Sequence, residues 1–497
     1  MKGNGNGKRN GKKIGLTKKI AAKSILTLSS AALHNDGLRR WVIKNMERKI
    51  YEDLIVGNPD NRPVKVQEDK YYMGRALLRS IDRAIASGNI SKKASRGLLE
   101  VFLGNVFFGG FYKRMEFLEK YGYRPPVFMT ISPTKMCNLQ CIGCYAASSG
   151  KNKETLPWPV LDEIISQAKE FWGANFFVIS GGEPLLYKSE GKTILDLYEK
   201  HNDSYFLMYT NGTLITPEKA KRFAELGNVT PSISVEGMRE ETDYRRGKGV
   251  FDRILQAFQN LRTAGVPFGI SITATRWNIN TIMSDEFYKF YFVEQGAIYG
   301  WIFQYMPIGR GFTLELMPTP EERLKLFEWE WHLVREKGIF LADFWNSATS
   351  SDGCIAAARS GGYFYINWNG DVMPCVFVPY TVDNVVEAFK NGRNLNDIIN
   401  SGFFKDIRDW QDSYGYQRPP HEHGNWMRPC FIRDHHKEFL EVVKKHKAKP
   451  ADEDAKVALT DKEYHKGLIE YDNRMAELTD KIWQEHYIAP ELEKVKK

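Results

Sequence analysis

The chain has no run of eighteen or more apolar residues in its 497 positions, so no transmembrane helix is predicted. Its N-terminus is basic but lacks an apolar core followed by a cleavage site, which argues against a secretory signal. Six cysteines are few for a chain of this size, and they are typical of metal ligands or catalytic thiols before disulfides. We therefore expect a cytoplasmic protein.

Acidic residues are scarce at the N-terminus. Residues 1–50 contain thirteen Lys and Arg against two Asp and Glu, a net +11, and since the chain carries +9 the remainder sums to −2. A helix over about residues 14–33 would place Ile14 and Leu28 on one side and Lys19 on the other. This pattern fits a helix on an anionic membrane surface and equally a helix docked on the protein itself. The arm has no interleaved aromatics, so nucleic acid is not expected as a partner.

Residues 1–125 form the first predicted domain, a basic helical region. Further helices are predicted at about residues 38–55, 70–88 and 91–121. The stretch 98–111 is apolar on all sides, which is typical of a buried helix packed on a later domain and also compatible with a lipid-facing wall. Pro125 and Pro126 end this region and mark a domain boundary.

Strands and amphipathic helices alternate in the next predicted domain, residues 126–325. The predicted strands are 127–132, 176–180, 205–209, 229–235, 268–274 and 300–305. Six such βα units predict an α/β fold whose parallel sheet curls into a full or partial barrel. The functional site of such folds lies at the C-terminal ends of the strands.

Three cysteines follow the first predicted strand with the spacing C-x3-C-x2-C: Cys137, Cys141 and Cys144. Thiolates this close on one loop can hold three corners of a metal cluster and leave one iron open to a chelating ligand. The second strand ends in Ser-Gly-Gly-Glu-Pro at residues 180–184, where the glycines allow close approach to the backbone and Glu183 can accept from an amine. A zinc site is the alternative, but it needs a fourth ligand and leaves the second motif unexplained.

Together, these two motifs resemble the radical S-adenosylmethionine (SAM) superfamily over about residues 127–310. The resemblance includes three further strand-end segments, at residues 210–212, 234–237 and 306–311. One departure is Gly143, which stands where the family often has an aromatic residue before the third cysteine. The resemblance implies a partial (β/α)6 TIM-like barrel and an enzyme that cleaves SAM reductively to a 5′-deoxyadenosyl radical, which abstracts a hydrogen atom from substrate.

Residue roles also follow from the resemblance. Cys137, Cys141 and Cys144 would ligate a [4Fe–4S] cluster, and SAM would chelate its open iron. The implied SAM contacts are Gly182 and Glu183 at the amino group, Ser234 and Thr273 near the carboxylate or ribose, and the backbone about Tyr145 near the adenine. Arg245 and Arg246 would hold a carboxylate or stabilise SAM, unless they belong to a surface loop. Glu236 replaces the aspartate usual after the fourth strand, which puts an acid–base role there in doubt.

The other three cysteines lie beyond the barrel, at Cys354, Cys375 and Cys430, in a third predicted domain of residues 326–435. Two strand-like runs flank Asn369-Gly370, a hairpin turn signal. The pattern C-x15-G-x4-C resembles the twitch module, a short relative of the SPASM domain, and this implies one auxiliary [4Fe–4S] cluster. Its fourth ligand is left open between substrate, water and a side chain such as His421, His423 or Asp434. The alternative is three ordinary buried thiols.

The predicted function is that of a radical SAM oxidoreductase acting on an unactivated C–H bond. With three cysteines at each cluster none remains as a hydrogen donor, and no D-x-H-x-x-G cobalamin signature occurs, so oxidation or bond formation is favoured. The basic arm and the apolar 98–111 stretch favour a membrane-proximal lipid or other apolar substrate at the inner face of the membrane. A peptide-modifying enzyme, acting on a ribosomal peptide or a protein, is the first alternative, and a non-catalytic Fe–S redox or scaffold protein is the second.

Two further expectations complete the picture. An external one-electron donor such as flavodoxin or ferredoxin is the expected partner besides SAM. Residues 436–497 form the last predicted region, a charged helical tail in which no site signature is recognised.

Overall fold

The computed structural model describes residues 35–88 and 90–495. The predicted helix at residues 14–33, and with it most of the basic arm, lies outside the described residues. No described helix combines the length and the apolar character that crossing a membrane requires.

Fourteen strands occur in the described chain, numbered β1 to β14 in chain order. They are Phe128–Ile131, Phe176–Ile179, Lys188–Ser189, Lys192–Thr193, Tyr205–Thr210, Val229–Val235, Gly269–Ala274, Gly300–Gln304, Leu341–Asp343, Tyr365–Ile366, Asp371–Met373, Tyr380–Thr381, Asp383–Asn384 and Lys449–Pro450. Ten of them form one sheet in the order β13-β11-β10-β1-β2-β5-β6-β7-β8-β9. Within this order, all neighbouring strands of the segment β10-β1-β2-β5-β6-β7-β8-β9 are parallel.

The α-helices α1 to α19 cover and connect these strands. They are Asp36–Tyr51, Val64–Ala86, Lys92–Arg96, Phe111–Tyr121, Trp158–Trp172, Ile194–Lys200, Pro217–Leu226, Arg239–Arg246, Val250–Ala264, Ile279–Ile282, Asp285–Tyr288, Pro320–His332, Val385–Lys390, Leu395–Ile399, Gly402–Gln411, His436–Lys445, Glu453–Ala458, Lys462–Trp483 and Ala489–Val495. A π-helical segment, Gly97–Phe108, lies between α3 and α4.

The six predicted barrel strands are all present, as β1, β2, β5, β6, β7 and β8. The run Val229–Val235 is buried along nearly its whole length, as expected of a parallel strand covered on both faces. Helix α5 buries Leu161, Ile164 and Ile165 against the sheet, and each such side chain contributes about 1.5–3 kcal/mol. The α/β prediction of a partial TIM-like barrel with a helical N-terminal region is confirmed.

The predicted hairpin is also present, and it extends the barrel sheet. Strand β10 pairs with β11 around the turn, where Gly370 adopts a φ of +85°. On its other side β10 runs parallel to β1, with Thr130 opposite Tyr365 and Ile131 opposite Ile366. The strand that precedes the C-x3-C-x2-C loop therefore lies beside the strand of the distal cysteine region.

The apolar stretch at residues 98–111 lies against the barrel. The Phe102 ring is 5.9 Å from that of Phe176 on β2 and 5.2 Å from that of Tyr205 on β5. Gly97 permits this approach, because a Cβ there would lie 1.6 Å from the Gly227 carbonyl oxygen. These contacts match the interpretation of a helix packed on a later domain.

Candidate functional site

The loop that bears Cys137, Cys141 and Cys144 is held by the strand ends beside it. The Cys137 amide donates to the Ser149 carbonyl at 3.1 Å. The Gly182 amide donates to the Thr134 carbonyl at 2.9 Å, and the Glu183 amide to the Met136 carbonyl at 2.8 Å. The Gly-Gly-Glu-Pro segment is thus hydrogen-bonded to the residues that lead directly into the cysteine loop.

The outer half of the loop is tied down by arginines from later strand ends. Arg310 donates from its amide to the Cys144 carbonyl at 3.0 Å and from Nη1 to the Cys141 carbonyl at 3.2 Å. Gly143 has a φ of +62°, and a Cβ there would lie 2.6 Å from the Tyr305 ring. The departure from the family pattern at this position therefore has a steric reason in this chain.

All three thiols of the loop line one cavity. The Cys137 sulfur accepts from the Leu139 amide at 3.4 Å, and Nη1 of Arg246 lies 3.9 Å from the Cys141 sulfur. Burial raises the pKa of Cys137 to about 12 and also raises the pKa of Cys141. Because burial disfavours the thiolates, they need positive charge beside them, which cluster irons supply.

Gly182 and Glu183 lie in different environments. Gly182 lines the cavity, and a Cβ there would lie 2.1 Å from the Met136 carbonyl oxygen. Glu183 is fully buried; its carboxylate accepts from the Asn211 amide at 2.9 Å, from the Thr210 hydroxyl at 2.8 Å and from the Leu185 amide at 3.1 Å. Its side chain thus joins the end of β2 to the end of β5.

An arginine pair beside Cys141 shares one carboxylate. Oε1 of the buried Glu236 accepts from Arg245 Nη1 at 2.6 Å and from Arg246 Nε at 2.7 Å. Burial opposes the charge on Arg246, but the Glu236 carboxylate outweighs it and raises the pKa of that guanidinium. Both arginines line the cavity, so its wall carries a net positive charge next to Cys141.

Three further predicted SAM contacts line the same cavity: Tyr145, Ser234 and Thr273. The Tyr145 hydroxyl is 2.8 Å from that of Ser180 and accepts from the Gly181 amide at 3.3 Å. Ser234 lies 3.2 Å from Ser271, oxygen to oxygen. Polar groups from four neighbouring strand ends thus surround the cysteine end of the cavity.

The cavity has a volume of about 450 Å³ and continues down the barrel interior. Below the polar end its walls are apolar and largely aromatic, with Phe128, Phe176, Leu207, Trp301, Phe303 and Phe340 among them. Met73 of α2 lines the cavity as well. The space is large enough for a small-molecule ligand or an inserted side chain.

The distal cysteines come together although they are 21 and 55 residues apart in sequence. Burial raises the pKa of Cys375, and the Cys354 and Cys430 sulfurs add to the increase. Burial likewise raises the pKa of Cys430 to about 11. Three thiols near enough to affect one another, one of them buried and two partly exposed, fit the cysteine set of an auxiliary cluster.

The candidates for a fourth ligand to this set lie in different surroundings. Asp434 is fully buried and forms two hydrogen bonds with Arg323, at 2.7 and 3.0 Å, and one with Arg433 at 3.1 Å. These arginines overcome the effect of burial and hold the pKa of Asp434 far below its usual range. Nε2 of the buried His423 is 2.9 Å from the Arg418 carbonyl oxygen, and the half-buried His421 is beside Glu422.

A single-ion site is not preformed at either set. Among residues 35–88 and 90–495, no three His, Cys, Asp or Glu side chains are close enough to hold one metal ion. A zinc ion would need its ligands within about 2.0–2.3 Å.

Several site features carry no sequence motif. Tyr363 lines the cavity and its hydroxyl is 2.9 Å from the Cys375 sulfur. Gln304, at the end of β8, donates to both Asp343 oxygens at 2.9 and 3.1 Å and accepts from Arg433 at 3.0 Å. Gln304 is a polar residue near the end of a predicted strand, and this position is the one sequence signal that could have identified it. No sequence signal marks Tyr363.

Family models match two parts of the chain. The radical SAM superfamily model matches residues 131–284, and the SPASM model, an iron–sulfur cluster-binding domain, matches residues 354–430. The first range contains the C-x3-C-x2-C loop, and the second begins and ends at distal cysteines. Radical SAM domains bind a [4Fe–4S] cluster and SAM, and SPASM domains bind auxiliary iron–sulfur clusters.

Curated relatives are similar over more than half of the chain. The mycofactocin maturase MftC of Mycolicibacterium smegmatis is 29% identical over 306 residues, which is 59% of this chain and 75% of MftC. The AdoMet-dependent heme synthase of Methanosarcina barkeri is 26% identical over 315 residues, which is 57% of this chain and 84% of that protein.

A solved structure shows the same fold. Streptococcus suis SuiB, in its crystal structure bound to S-adenosylmethionine, is 18% identical with a TM-score of 0.50, over 65% of this chain and 78% of SuiB. The chain therefore carries a radical SAM domain followed by a SPASM-type iron–sulfur domain, and its relatives with the radical SAM domain are enzymes.

Proposed function

We propose that this enzyme modifies a peptide, by abstracting a hydrogen atom from a residue inserted into the barrel cavity. The observation that carries the proposal is the extent of that cavity. It touches the thiols of Cys137, Cys141 and Cys144 at one end, and Tyr363 and Phe377 beside the distal cysteines at another. A substrate held there would lie between two iron–sulfur sites.

Two sets of three cysteines would hold the iron–sulfur cofactors. Cys137, Cys141 and Cys144 would ligate the first [4Fe–4S] cluster, and Cys354, Cys375 and Cys430 would ligate a single auxiliary one. A cluster held there would supply the one-electron reductive cleavage of SAM to methionine and a 5′-deoxyadenosyl radical, which would take the hydrogen atom from substrate. An external donor such as flavodoxin or ferredoxin would supply the electron.

The SAM contacts divide between backbone and side chains. The backbone of Gly182 lines the cavity and would accept from the SAM amino group, whereas the Glu183 carboxylate is occupied and would act by positioning that backbone. Arg245 and Arg246 carry one more positive charge than Glu236 neutralises, which suits the SAM carboxylate. Ser234, Thr273 and Tyr145 would contact the remainder of SAM.

The cavity walls favour an apolar residue as the group modified. Its lower part presents rings such as Phe176, Trp301 and Phe340, and burying a charged side chain there without a partner would cost several kcal/mol. Such walls also exclude water from a reactive intermediate. MftC, which is named as a maturase, is similar over three-quarters of its length, and this supports a peptide as the carrier of that residue.

The lipid interpretation loses one of its two supports. Phe102, within the apolar stretch once considered for lipid contact, packs on barrel residues Phe176 and Tyr205. The other support, the basic helix of residues 14–33, lies outside the described residues. We therefore favour the peptide, and a lipid becomes an outcome of the test.

The test uses reconstituted holoenzyme under anaerobic conditions with SAM and dithionite. The substrates compared are a synthetic peptide encoded by the shortest reading frame beside the gene, and a total lipid extract in vesicles. We expect the peptide alone to increase 5′-deoxyadenosine formation and to change in mass, with deuterium from labelled residues appearing in 5′-deoxyadenosine.

Two results would count against the proposal. Yields no higher than those of the Cys137→Ala variant would remove the assigned cluster. Stimulation by the lipid extract but not by the peptide would replace the peptide with a lipid as substrate.

A further inference from the structure

Tyr363 separates the cavity from the distal cysteines. It is 1% exposed and lies two residues before β10, where its ring stacks on Phe128 at 5.1 Å and 8°. On another side the Phe344 ring meets it edge-on at 6.0 Å. Both contacts belong to cavity-lining residues, so the ring of Tyr363 is fixed in the wall that faces the substrate.

The hydroxyl of Tyr363 contacts Cys375. Its oxygen lies 2.9 Å from the Cys375 sulfur and accepts from the Val376 amide at 3.3 Å. The amide hydrogen bond occupies a lone pair and orients the phenol. A cysteine that ligates iron is a thiolate with no proton to donate, so the phenol is the donor in this contact.

We propose that Tyr363 is a positioning residue of the auxiliary cluster, whose hydrogen bond to the Cys375 sulfur orients that ligand and raises the reduction potential of the cluster. The inference rests on the proposed function in one respect, the assignment of Cys375 as a ligand. A hydrogen bond to a ligating sulfur stabilises the reduced, more negative cluster more than the oxidised one.

The same geometry gives Tyr363 a place in the proposed reaction. Its ring contacts the space for the substrate and its oxygen contacts the auxiliary ligand, so one side chain joins the two. A higher potential makes the auxiliary cluster a better electron acceptor, which suits an oxidation. The backbone amide of Phe377 lies 3.4 Å from the same sulfur and adds a weaker, main-chain donor that side-chain substitution leaves in place.

Tyr363→Phe removes the hydroxyl and keeps the ring in its stack. The matched control is Tyr380→Phe, since Tyr380 is a buried tyrosine of the same region whose hydroxyl donates to the Ala455 carbonyl at 3.0 Å and to no cysteine. Reconstituted holoenzymes are compared by a redox titration followed by electron paramagnetic resonance. At the wild-type auxiliary midpoint, we expect the ratio of reduced to oxidised auxiliary cluster to fall about fivefold in Tyr363→Phe only.

A second variant should shift the reduction potential of the auxiliary cluster in the opposite direction, and it remains informative if Tyr363→Phe folds poorly. Replacing Tyr363 by 3,5-difluorotyrosine keeps the shape and makes the phenol a stronger donor, so the ratio should rise. The first cluster should keep its midpoint in both variants, which separates this effect from a general change in the enzyme.

Three results would overturn the inference. One is an unchanged auxiliary midpoint in Tyr363→Phe that retains about eight irons per chain. Another is a lower ratio of reduced to oxidised auxiliary cluster in the difluorotyrosine enzyme than in the wild type. Loss of about four irons in Tyr363→Phe alone would make the phenol oxygen a ligand and not a donor. A wild-type chain with only about four irons would instead refute the auxiliary cluster of the proposed function.

Discussion

The two cysteine sets of this enzyme are built in opposite ways. Cys137, Cys141 and Cys144 lie on one loop of eight residues, which the ends of neighbouring strands hold by backbone hydrogen bonds. Cys354, Cys375 and Cys430 come from three separate segments, and each depends on its own partners. Tyr363 supports Cys375, and the Asp434 carboxylate accepts from the Cys430 amide at 3.1 Å.

The difference shows where each site is vulnerable. The first site needs a local loop and the backbone geometry of parallel strand ends. The second needs correct packing of residues far apart in sequence, and its supports are buried charges and a buried phenol. Changes in side chains remote from the thiols should therefore damage the second site more readily than the first.

The largest difference in activity and iron content is expected between two variants that each disrupt one of the cysteine sets. Cys137→Ala should abolish 5′-deoxyadenosine formation, because three thiolates are the minimum set for the first cluster. Cys375→Ala should retain SAM cleavage while losing about four of about eight irons. Product chromatography and iron assay on the same preparations measure both. Equal loss of SAM cleavage in the two variants would contradict the independence of the sites.

Breaking the buried charge cluster should rank next. Asp434→Asn leaves Arg323 and Arg433, both fully buried, without their carboxylate, which should cost about 3–5 kcal/mol. Thermal unfolding and auxiliary iron content should both fall, with SAM cleavage less affected. The control is Asp252→Asn, which breaks an exposed pair with Arg239 and should leave the stability almost unchanged, because water screens exposed ion pairs. Similar melting of both variants would contradict the prediction.

Acid should destabilise the distal region through its histidines. Burial lowers the pKa of His423, His435 and His436 to about 4 in each case. The folded state then binds fewer protons than the unfolded chain, so this stability is full above pH about 6.5 and is lost as the pH falls toward 4. Between pH 6.5 and 5 the loss should be roughly 2 kcal/mol for each histidine.

Denaturant unfolding of the apoprotein across this range measures the histidine effect. Replacing the three histidines by glutamine should flatten the pH dependence between 6.5 and 5. The same slope in the triple variant would assign it to other groups.

A methyl group at the second strand end should weaken SAM binding about tenfold. The Cβ of Gly182→Ala would lie 2.1 Å from the Met136 carbonyl, so the cysteine loop must move away. Gly74→Ala is the control, because its Cβ would meet only the Ile50 side chain at 3.8 Å. Calorimetric titration of the holoenzymes with SAM compares them. Wild-type affinity for SAM in Gly182→Ala would show that close packing of Gly182 on the Met136 carbonyl does not position the cysteine loop.

The smallest expected effect concerns the positive wall beside Cys141. Arg246→Met keeps much of the side-chain volume and removes one of the two positive charges that share the Glu236 carboxylate. We expect the dissociation constant for SAM to increase about three- to tenfold, with the auxiliary irons retained. Unchanged affinity would leave Arg245 alone as the partner for the SAM carboxylate.

Much of the barrel and its first site was predictable because the relevant signals are local. The six predicted strands are present, and the helices Trp158–Trp172 and Val250–Ala264 separate them as expected. The C-x3-C-x2-C spacing and the Gly-Gly-Glu-Pro segment each lie within a few residues of a strand end. Chemistry encoded at such short range does not depend on how distant segments pack.

Other features depend on contacts that no local pattern encodes. The parallel pairing of β10 with β1 joins segments 235 residues apart and places the strand of the distal cysteine region beside the strand that precedes the first cysteine loop. The occupied carboxylate of Glu183 and the support of Asp434 by Arg323 are equally long-range. A sequence motif can name an acidic residue, but only its neighbours decide whether its oxygens are free.

By itself the sequence determined the fold class, the six barrel strands and the spacing of both cysteine sets, because the periodicity of strands and the spacing of thiols are short-range properties. The tertiary structure decided the shape and apolar character of the cavity, the pairing of arginines with Glu236 and the contact of Tyr363 with Cys375. Those features arise from side chains brought together by packing, where burial and hydrogen-bond partners set the chemistry of each group.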